Sequence, residues 1–141
     1  MTIINDIMTR EVAVIQLSDA LQTAAQRMRD LNIGALPVCD GETFVGMVTD
    51  RDIAVRGVAA GLNPAEALGS DVMTDEVHAC APSDTVEAAL KQMGDAQVRR
   101  LPVLDADRRI VGIVALGDLA TRQSAPVDQA LREISEPGPA A

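Results

Sequence analysis

Aromatic side chains are almost missing from this sequence. Phe44 is the one aromatic residue, and Trp and Tyr are absent. That removes the usual stacking platforms for single-stranded nucleic acid, and any core must be built from Val, Ile, Leu, Met and Ala. Cysteine is sparse: Cys39 and Cys80 stand far apart, with no CxxC spacing. The lone histidine, His78, completes no standard zinc arrangement with them, so no metal site is expected. The expectation is two reduced, buried thiols. Nothing in the sequence brings the two within the roughly 7 Å between Cα atoms that a disulfide needs. No apolar run approaches the ~20 residues of a membrane span. Residues 1–6 lack the basic-then-apolar pattern of a signal peptide. The expected compartment is the cytoplasm, with no membrane partner. Positive charge is short, with 12 Lys and Arg against 21 Asp and Glu, for a net charge of −9. This argues against nucleic acid as a general partner. The basic pairs Arg99-Arg100 and Arg108-Arg109 still leave room for a local basic pocket. There is no nucleophile–base pair, no paired metal ligand and no P-loop, so no catalysis is expected.

What the sequence does hold is one unit written twice. Asp6-Ile7-Met8-Thr9 returns as Asp71-Val72-Met73-Thr74, 65 positions on. At that offset Ser18-Asp19 matches Ser83-Asp84, Met28 matches Met93, and Leu36-Pro37-Val38 matches Leu101-Pro102-Val103. The offset then becomes 66: Val45-Gly46 matches Val111-Gly112, and Asp52 matches Asp118. One inserted residue between matched strands is the length change a loop tolerates.

Each copy reads β-α-β-β-α, an α/β (α+β) grammar. Strands are predicted over Val12 to Leu17 and Val77 to Ala81. Ser18 reads as the cap of a helix carrying Leu21, Ala24, Ala25 and Met28 on one face. Its copy starts at Ser83 or Asp84 and carries Val86, Ala89, Leu90 and Met93. The first helix is predicted to end near Asn32, which tolerates the left-handed conformation. Strands follow over Ile33 to Cys39 and from Phe44, with Asp40-Gly41 as the turn. The copy has Asp105-Ala106-Asp107 as its turn and Ile110 to Val114 as its strand. Closing helices are predicted over Asp50 to Ala60 and Leu116 to Arg122. This divides the chain into repeat 1 (1–61), a linker (62–70), repeat 2 (71–123) and a C-terminal tail (124–141) with a short helix over Val127 to Ile134. One repeat of ~55 residues can hardly cover its own sheet face, so two copies should pack together.

The stretch Gly46-Met47-Val48-Thr49-Asp50-Arg51-Asp52 falls on a strand-to-helix junction. A helix start offers unpaired N–H groups that suit an anion. There Thr49 can meet a phosphate and Asp52 a ribose diol. The plainer alternative is that Thr49 only caps the helix and Asp52 occupies its first turn. Gly46 and Gly112 read as sites of close helix–strand packing.

The Asp-Ile-Met-Thr openings, Leu-Pro-Val strands and Gly-x-x-Thr-x-x-Asp junction resemble a tandem pair of cystathionine-β-synthase (CBS) domains, a Bateman module of the small stand-alone bacterial type. The resemblance covers residues 1 to about 123. It implies two repeats related by a pseudo-twofold axis, with two ligand clefts between them. Such modules often bind AMP, ADP, ATP or S-adenosylmethionine. Carried over residue by residue, one cleft takes Thr49 and Asp52 with Val77, His78, Arg99, Arg100, Leu101 and Pro102. The other joins Asp118 to Val12, Ala13, Ala35, Leu36 and Pro37. It lacks the hydroxyl, because Ala115 stands there, and has Gly34-Ala35 in place of Arg99-Arg100. The first cleft is therefore the favoured one.

The resemblance implies a non-catalytic sensor that signals to a separate, unidentified protein. The alternative is a structural interaction protein with vestigial clefts. Apolar stripes on the closing helices (Ile53, Val55, Val58 and Leu116, Leu119, Ala120) are expected to face a second copy in a homodimer.

Overall fold

A computed structural model describes residues 2–75, 77–120 and 134. The chain forms two compact units: a contiguous one, Ala13–Val77, and a split one made of Met1–Val12 with His78–Ala141. The units are offset from the sequence repeats, because the first twelve residues pack with the second repeat.

In the contiguous unit β1 (Ile15–Gln16) precedes α1 (Leu21–Leu31), followed by β2 (Ala35–Asp40), β3 (Thr43–Thr49) and α2. Helix α2 is α-helical over Asp50–Asp52 and π-helical over Ile53–Val58. The sheet order is β1-β2-β3: β1 runs parallel to β2, with Ile15 opposite Val38, and β2 is antiparallel to β3. In the split unit α3 (Val86–Ala96) leads into the antiparallel pair β4 (Arg100–Leu104) and β5 (Ile110–Ala115), then α4 (Leu116–Ala120). Each unit has its own core. One gathers Ile15, Leu21, Ala24, Met28, Leu36, Val38, Val48 and Val72. The other gathers Ile4, Met8, Val86, Leu90, Met93, Leu101, Val103, Val114 and Leu119, with Ile134 packed against it. The expected α+β grammar and the core faces of both long helices are present, except that Ala25, expected on the core face of α1, is exposed.

The first strands are shorter than expected. Only Ile15–Gln16 forms a strand in one unit, and only Cys80 bridges to Val103 in the other. Pro37 and Pro102 explain this, since a residue without an N–H cannot extend a ladder on that side. Across the opposite edge of each Pro, the sheet demands nothing of it. Met47, opposite Pro37, exchanges both backbone bonds with Thr74 (2.9 and 2.8 Å). Ile113, opposite Pro102, exchanges both with Thr9 (2.9 and 2.9 Å).

Those two pairings show what the Asp-x-Met-Thr motif is for. In each unit the Met-Thr step lies along the outer edge of the last strand, and a glycine makes room for it. A Cβ on Gly46 would stand 2.7 Å from the Thr74 carbonyl oxygen and 3.0 Å from Met73 Sδ. A Cβ on Gly112 would stand 2.6 Å from Met8 Sδ and 3.0 Å from the Thr9 oxygen. These glycines admit a crossing segment of chain rather than a helix, which corrects the expectation.

The helix starts also differ from the reading. Ser18 caps nothing: α1 begins at Leu21, and its Ala20 cap position has no side-chain bond. The orphan N–H groups of Leu21 and Gln22 instead donate to the Ala67 and Pro64 carbonyls (2.8 and 2.9 Å), so the linker caps the helix. α3 begins at Val86, and Thr85 Oγ1 accepts from the Ala88 N–H. Asn32 adopts the left-handed conformation (φ 54°) as expected, and Gln97 does so in the copy (φ 56°). The predicted helix over Val127 to Ile134 and the tail lie outside the described residues, Ile134 apart.

Both cysteines are free and buried, as expected. Burial pushes the Cys39 thiol up. Burial, with Asp84 nearby, pushes Cys80 up to about 12. A thiol whose folded pKa lies above its ordinary 9.0 keeps its full contribution below that value and loses it as pH climbs toward 12. Urea midpoints at pH 8 and pH 10.5 should therefore fall more for the wild type than for Cys80→Ala. An equal fall in both would contradict this.

Candidate functional site

The two junctions start from one device. Thr49 Oγ1 accepts from the Asp52 N–H at 3.0 Å, and Asp52 Oδ2 accepts from the Thr49 N–H at 3.0 Å. This reciprocal capping box satisfies two orphan donors of α2 at once. In the split unit Asp118 Oδ2 accepts from the Ala115 N–H at 3.1 Å, but alanine returns nothing. The same geometry recurs at two further matched pairs of aspartates. Asp6 and Asp71 accept from Ile3 and Leu68, and Asp19 and Asp84 accept from Gln16 and Ala81. The repeated carboxylates are turn-closing groups, three residues after the amide they hold. The sequence carries this signal as a spacing of three residues between each carboxylate and its amide.

Capping does not exhaust the Thr49–Asp52 pair. Among the described residues Asp52 Oδ1 takes no hydrogen bond, and Thr49 keeps its hydroxyl proton to donate. Both side chains are half-buried at a helix start. The box fixes the rotamer of the carboxylate, so the free oxygen is oriented in advance.

Within the contiguous unit the structure also brings Gly34, Ala35 and Pro37 beside this junction. Ala35 pairs with Thr49, and the Gly34 carbonyl accepts from the Asp50 N–H at 3.0 Å. Within the split unit Arg100 pairs with Ala115, and the Arg99 carbonyl accepts from the Leu116 N–H at 2.8 Å. Both arginines are exposed, and among the described residues neither guanidinium has an ion-pair partner. His78 is exposed, while Val12, Ala13 and Val77 are half-buried. Leu36 and Leu101 are fully buried in their cores, and Pro37 and Pro102 are buried. The two leucines can therefore offer a ligand only backbone.

The closing helices correct another expectation. Leu116 and Leu119 are 5% and 0% exposed and belong to the core of the split unit. Of the two closing helices, among the described residues, α2 is the one that presents large apolar side chains outward, with Val55 at 51% and Val58 at 65%. Ala120's side chain lies outside what is described. Gly57 is buried in α2, where a Cβ would meet Leu21 Cδ2 at 3.0 Å.

The half-made box in α4 carries a prediction. Thr49→Ala should cost about 0.5–2 kcal/mol, the usual value of an N-cap. Ala115→Thr should complete the second box and stabilise by a comparable amount. Denaturant midpoints should move in opposite directions; a fall with Ala115→Thr would contradict the reading. Because Asp52 closes the box, Asp52→Ala must also affect folding by more than the 0.3–1 kcal/mol of a first-turn charge.

The CBS domain pattern matches residues 4–57 and 69–125. The chain belongs to the CBS-domain family. It is 40% identical over 121 residues to hypoxic response protein 1 of Mycobacterium tuberculosis, covering 85% of this chain and 84% of that protein. It is 42% identical over 123 residues to the CBS domain-containing protein YhcV of Bacillus subtilis, covering 87% and 86%. Among solved structures it resembles Hypoxic Response Protein I with two coordinated zinc ions (TM-score 0.80, 39% identity, 87% of this chain and 100% of that one). It also resembles CBSX2 in complex with AMP (TM-score 0.75, 25% identity, 86% and 95%). A third is the CBS domain pair of MJ0100 in complex with 5-methylthioadenosine and S-adenosyl-L-methionine (TM-score 0.74, 26% identity, 86% and 94%). CBS pairs thus bind AMP or S-adenosylmethionine in structural neighbours, and no catalytic family is indicated for this chain.

Proposed function

We propose that this CBS pair is a non-catalytic regulatory module that binds an adenine nucleotide (AMP, ADP or ATP) or S-adenosylmethionine and signals its occupancy to a separate protein. The observation that carries this reading is the Thr49–Asp52 box, which leaves a carboxylate oxygen and a hydroxyl proton uncommitted at a helix start. Asp52 Oδ1 would accept from the ribose hydroxyls and Thr49 would donate to phosphate. Arg100, with Arg99, would supply charge in the form that suits phosphate oxygens. Val77 and Pro102 would wall the adenine, with His78 and Leu101 contributing backbone. Asp118, with Val12, Ala13, Ala35, Leu36 and Pro37, would make a weaker second site lacking hydroxyl and cations. The neighbours crystallised with AMP and with S-adenosyl-L-methionine support the ligand class.

The zinc of the first structural neighbour does not enter this reading, because among the described residues no three His, Cys, Asp or Glu side chains gather. Among the described residues no helix is long and apolar enough to cross a membrane. A cytoplasmic homodimer is part of the proposal, with Val55 and Val58 of α2 as its apolar contact.

The second reading, a structural interaction protein, is favoured by one observation: the capping box already gives Thr49 and Asp52 a structural role. Thermal-shift measurements with AMP, ADP, ATP and S-adenosylmethionine separate the two. A ligand at a hundred times its dissociation constant adds about 2.7 kcal/mol of stability. For a chain of this size the melting point should rise by roughly 5–10 °C. No shift with any of the four at millimolar concentration would give the structural reading the place of the sensing one.

A further inference from the structure

Arg27 in α1 and Gln92 in α3 stand at matched positions, 65 apart, yet differ in kind. They make the same bond. The Arg27 guanidinium donates to the Val14 carbonyl, and the Gln92 amide donates to the Ala79 carbonyl at 2.8 Å. Arg27 is also 3.8 Å from Asp19 Oδ2, which steadies it. Val14 and Ala79 are themselves 65 apart. Each lies two residues beyond a point where the chain passes from one unit to the other, Val12 to Ala13 and Val77 to His78. Neither 12–14 nor 77–79 belongs to a strand, and among the described residues no backbone–backbone hydrogen bond holds either stretch. The helix side chain is what ties each down. An extended stretch held by one bond moves if that bond is lost.

We propose that Arg27 and Gln92 are positioning residues, each fixing the short extended stretch that its unit presents to a nucleotide. Gln92 sets the placement of His78 within the split unit, and so governs affinity for the nucleotide proposed above. Arg27 does the same for Ala13 within the contiguous unit, toward the weaker site. This rests on the nucleotide reading above. The recurrence of one bond from two residue types is what marks the role: a donor is required, while charge and shape are not.

The test has two arms on the full chain. In the first, nitrogen-15 relaxation is measured without ligand. Gln92→Leu should lower the backbone order parameters of His78 and Ala79 from the rigid range toward below about 0.6 and leave Val14 unchanged. Arg27→Leu should do the reverse. Unchanged values in both variants overturn the positioning role. In the second, calorimetric titration with AMP, ATP and S-adenosylmethionine should show Gln92→Leu weakening binding by about tenfold. Gln92→Arg, which borrows the donor that the first repeat uses, should restore the wild-type affinity, and Arg27→Leu should have little effect. A loss that Gln92→Arg does not rescue, or no loss at all, overturns the assignment to affinity. If the wild type binds none of the three, the nucleotide reading fails and takes the affinity half with it. The relaxation arm still decides whether the two side chains fix their stretches.

Discussion

Replacing Gly46 with alanine should destabilise the contiguous unit by about 3 kcal/mol. The new methyl group would stand 2.7 Å from a backbone oxygen, that of Thr74, which cannot rotate away as a side chain can. Overpacking of this kind costs about 1–3 kcal/mol. Relief by displacement would break the paired bonds between Met47 and Thr74, each worth about 0.5–1.5 kcal/mol. At roughly 4–8 °C per kcal/mol for a unit of this size, the melting point should drop by more than about 10 °C. Gly112→Ala should be milder. Its closest neighbours, Met8 Sδ and Cγ, belong to a flexible side chain, although the Thr9 oxygen at 3.0 Å remains. Gly117 supplies the control of opposite sign. Nothing lies within 4 Å of its Cβ position, and it sits in α4. Gly117→Ala should stabilise by about 0.5–1 kcal/mol through helix propensity. Denaturant titrations of the three variants check this, and a Gly46→Ala protein within about 0.5 kcal/mol of wild type would refute the crowding argument.

Asp52→Asn should abolish most of a nucleotide-induced melting shift while leaving the unliganded melting point nearly unchanged. Asparagine can still accept from the Thr49 N–H, so the cap survives, but it no longer offers a charged oxygen to the ribose. Removing that acceptor is worth about 1–3 kcal/mol, or roughly ten- to a hundredfold in affinity. Asp52→Ala should lose the same affinity and about 1–2 kcal/mol of stability besides, because the box opens. Arg100→Ala should weaken phosphate-bearing ligands. Asp118→Ala should affect binding far less. Thermal shifts with the four adenine ligands distinguish these cases. If Asp118→Ala removes a shift that Asp52→Asn retains, the ligand sits at the other junction.

Periodicity and repetition made the elements legible. The helical faces of α1 and α3, the Leu-Pro-Val strands and the turn at Gly41 (φ 65°) follow directly from residue pattern. What pattern could not show was partnership. A sequence repeat has no intrinsic phase, so the Asp-x-Met-Thr segment was read as the opening of its own unit. Its Thr74 instead pairs along the edge of β3 in the preceding repeat, and its Thr9 along the edge of β5 in the second repeat. The glycine that receives it looks like any strand glycine until the crossing chain is seen. The capping box at Thr49 and Asp52 was legible because hydroxyl and carboxylate fell at cap spacing. Arg27 and Gln92 were hidden because two unlike residues make one bond, and identity matching passes over such pairs. Leu116 and Leu119 were misjudged because a short apolar stripe does not say whether it faces a partner or its own core.

The split unit also fixes an order of events during synthesis. The contiguous unit can close once Thr74 has left the ribosome, only a short chain after its partner Met47. Thr9 must wait for Ile113, about a hundred residues later. At about 5–20 residues per second that is roughly 5–20 s in which the N-terminal segment has no docking site. Its Ile4 and Met8, 0% and 8% exposed in the finished fold, are open to solvent and to other nascent chains throughout that interval. Residues 2–12 thus dock long after they are made, and substitutions there should slow maturation more than matched ones in residues 68–74.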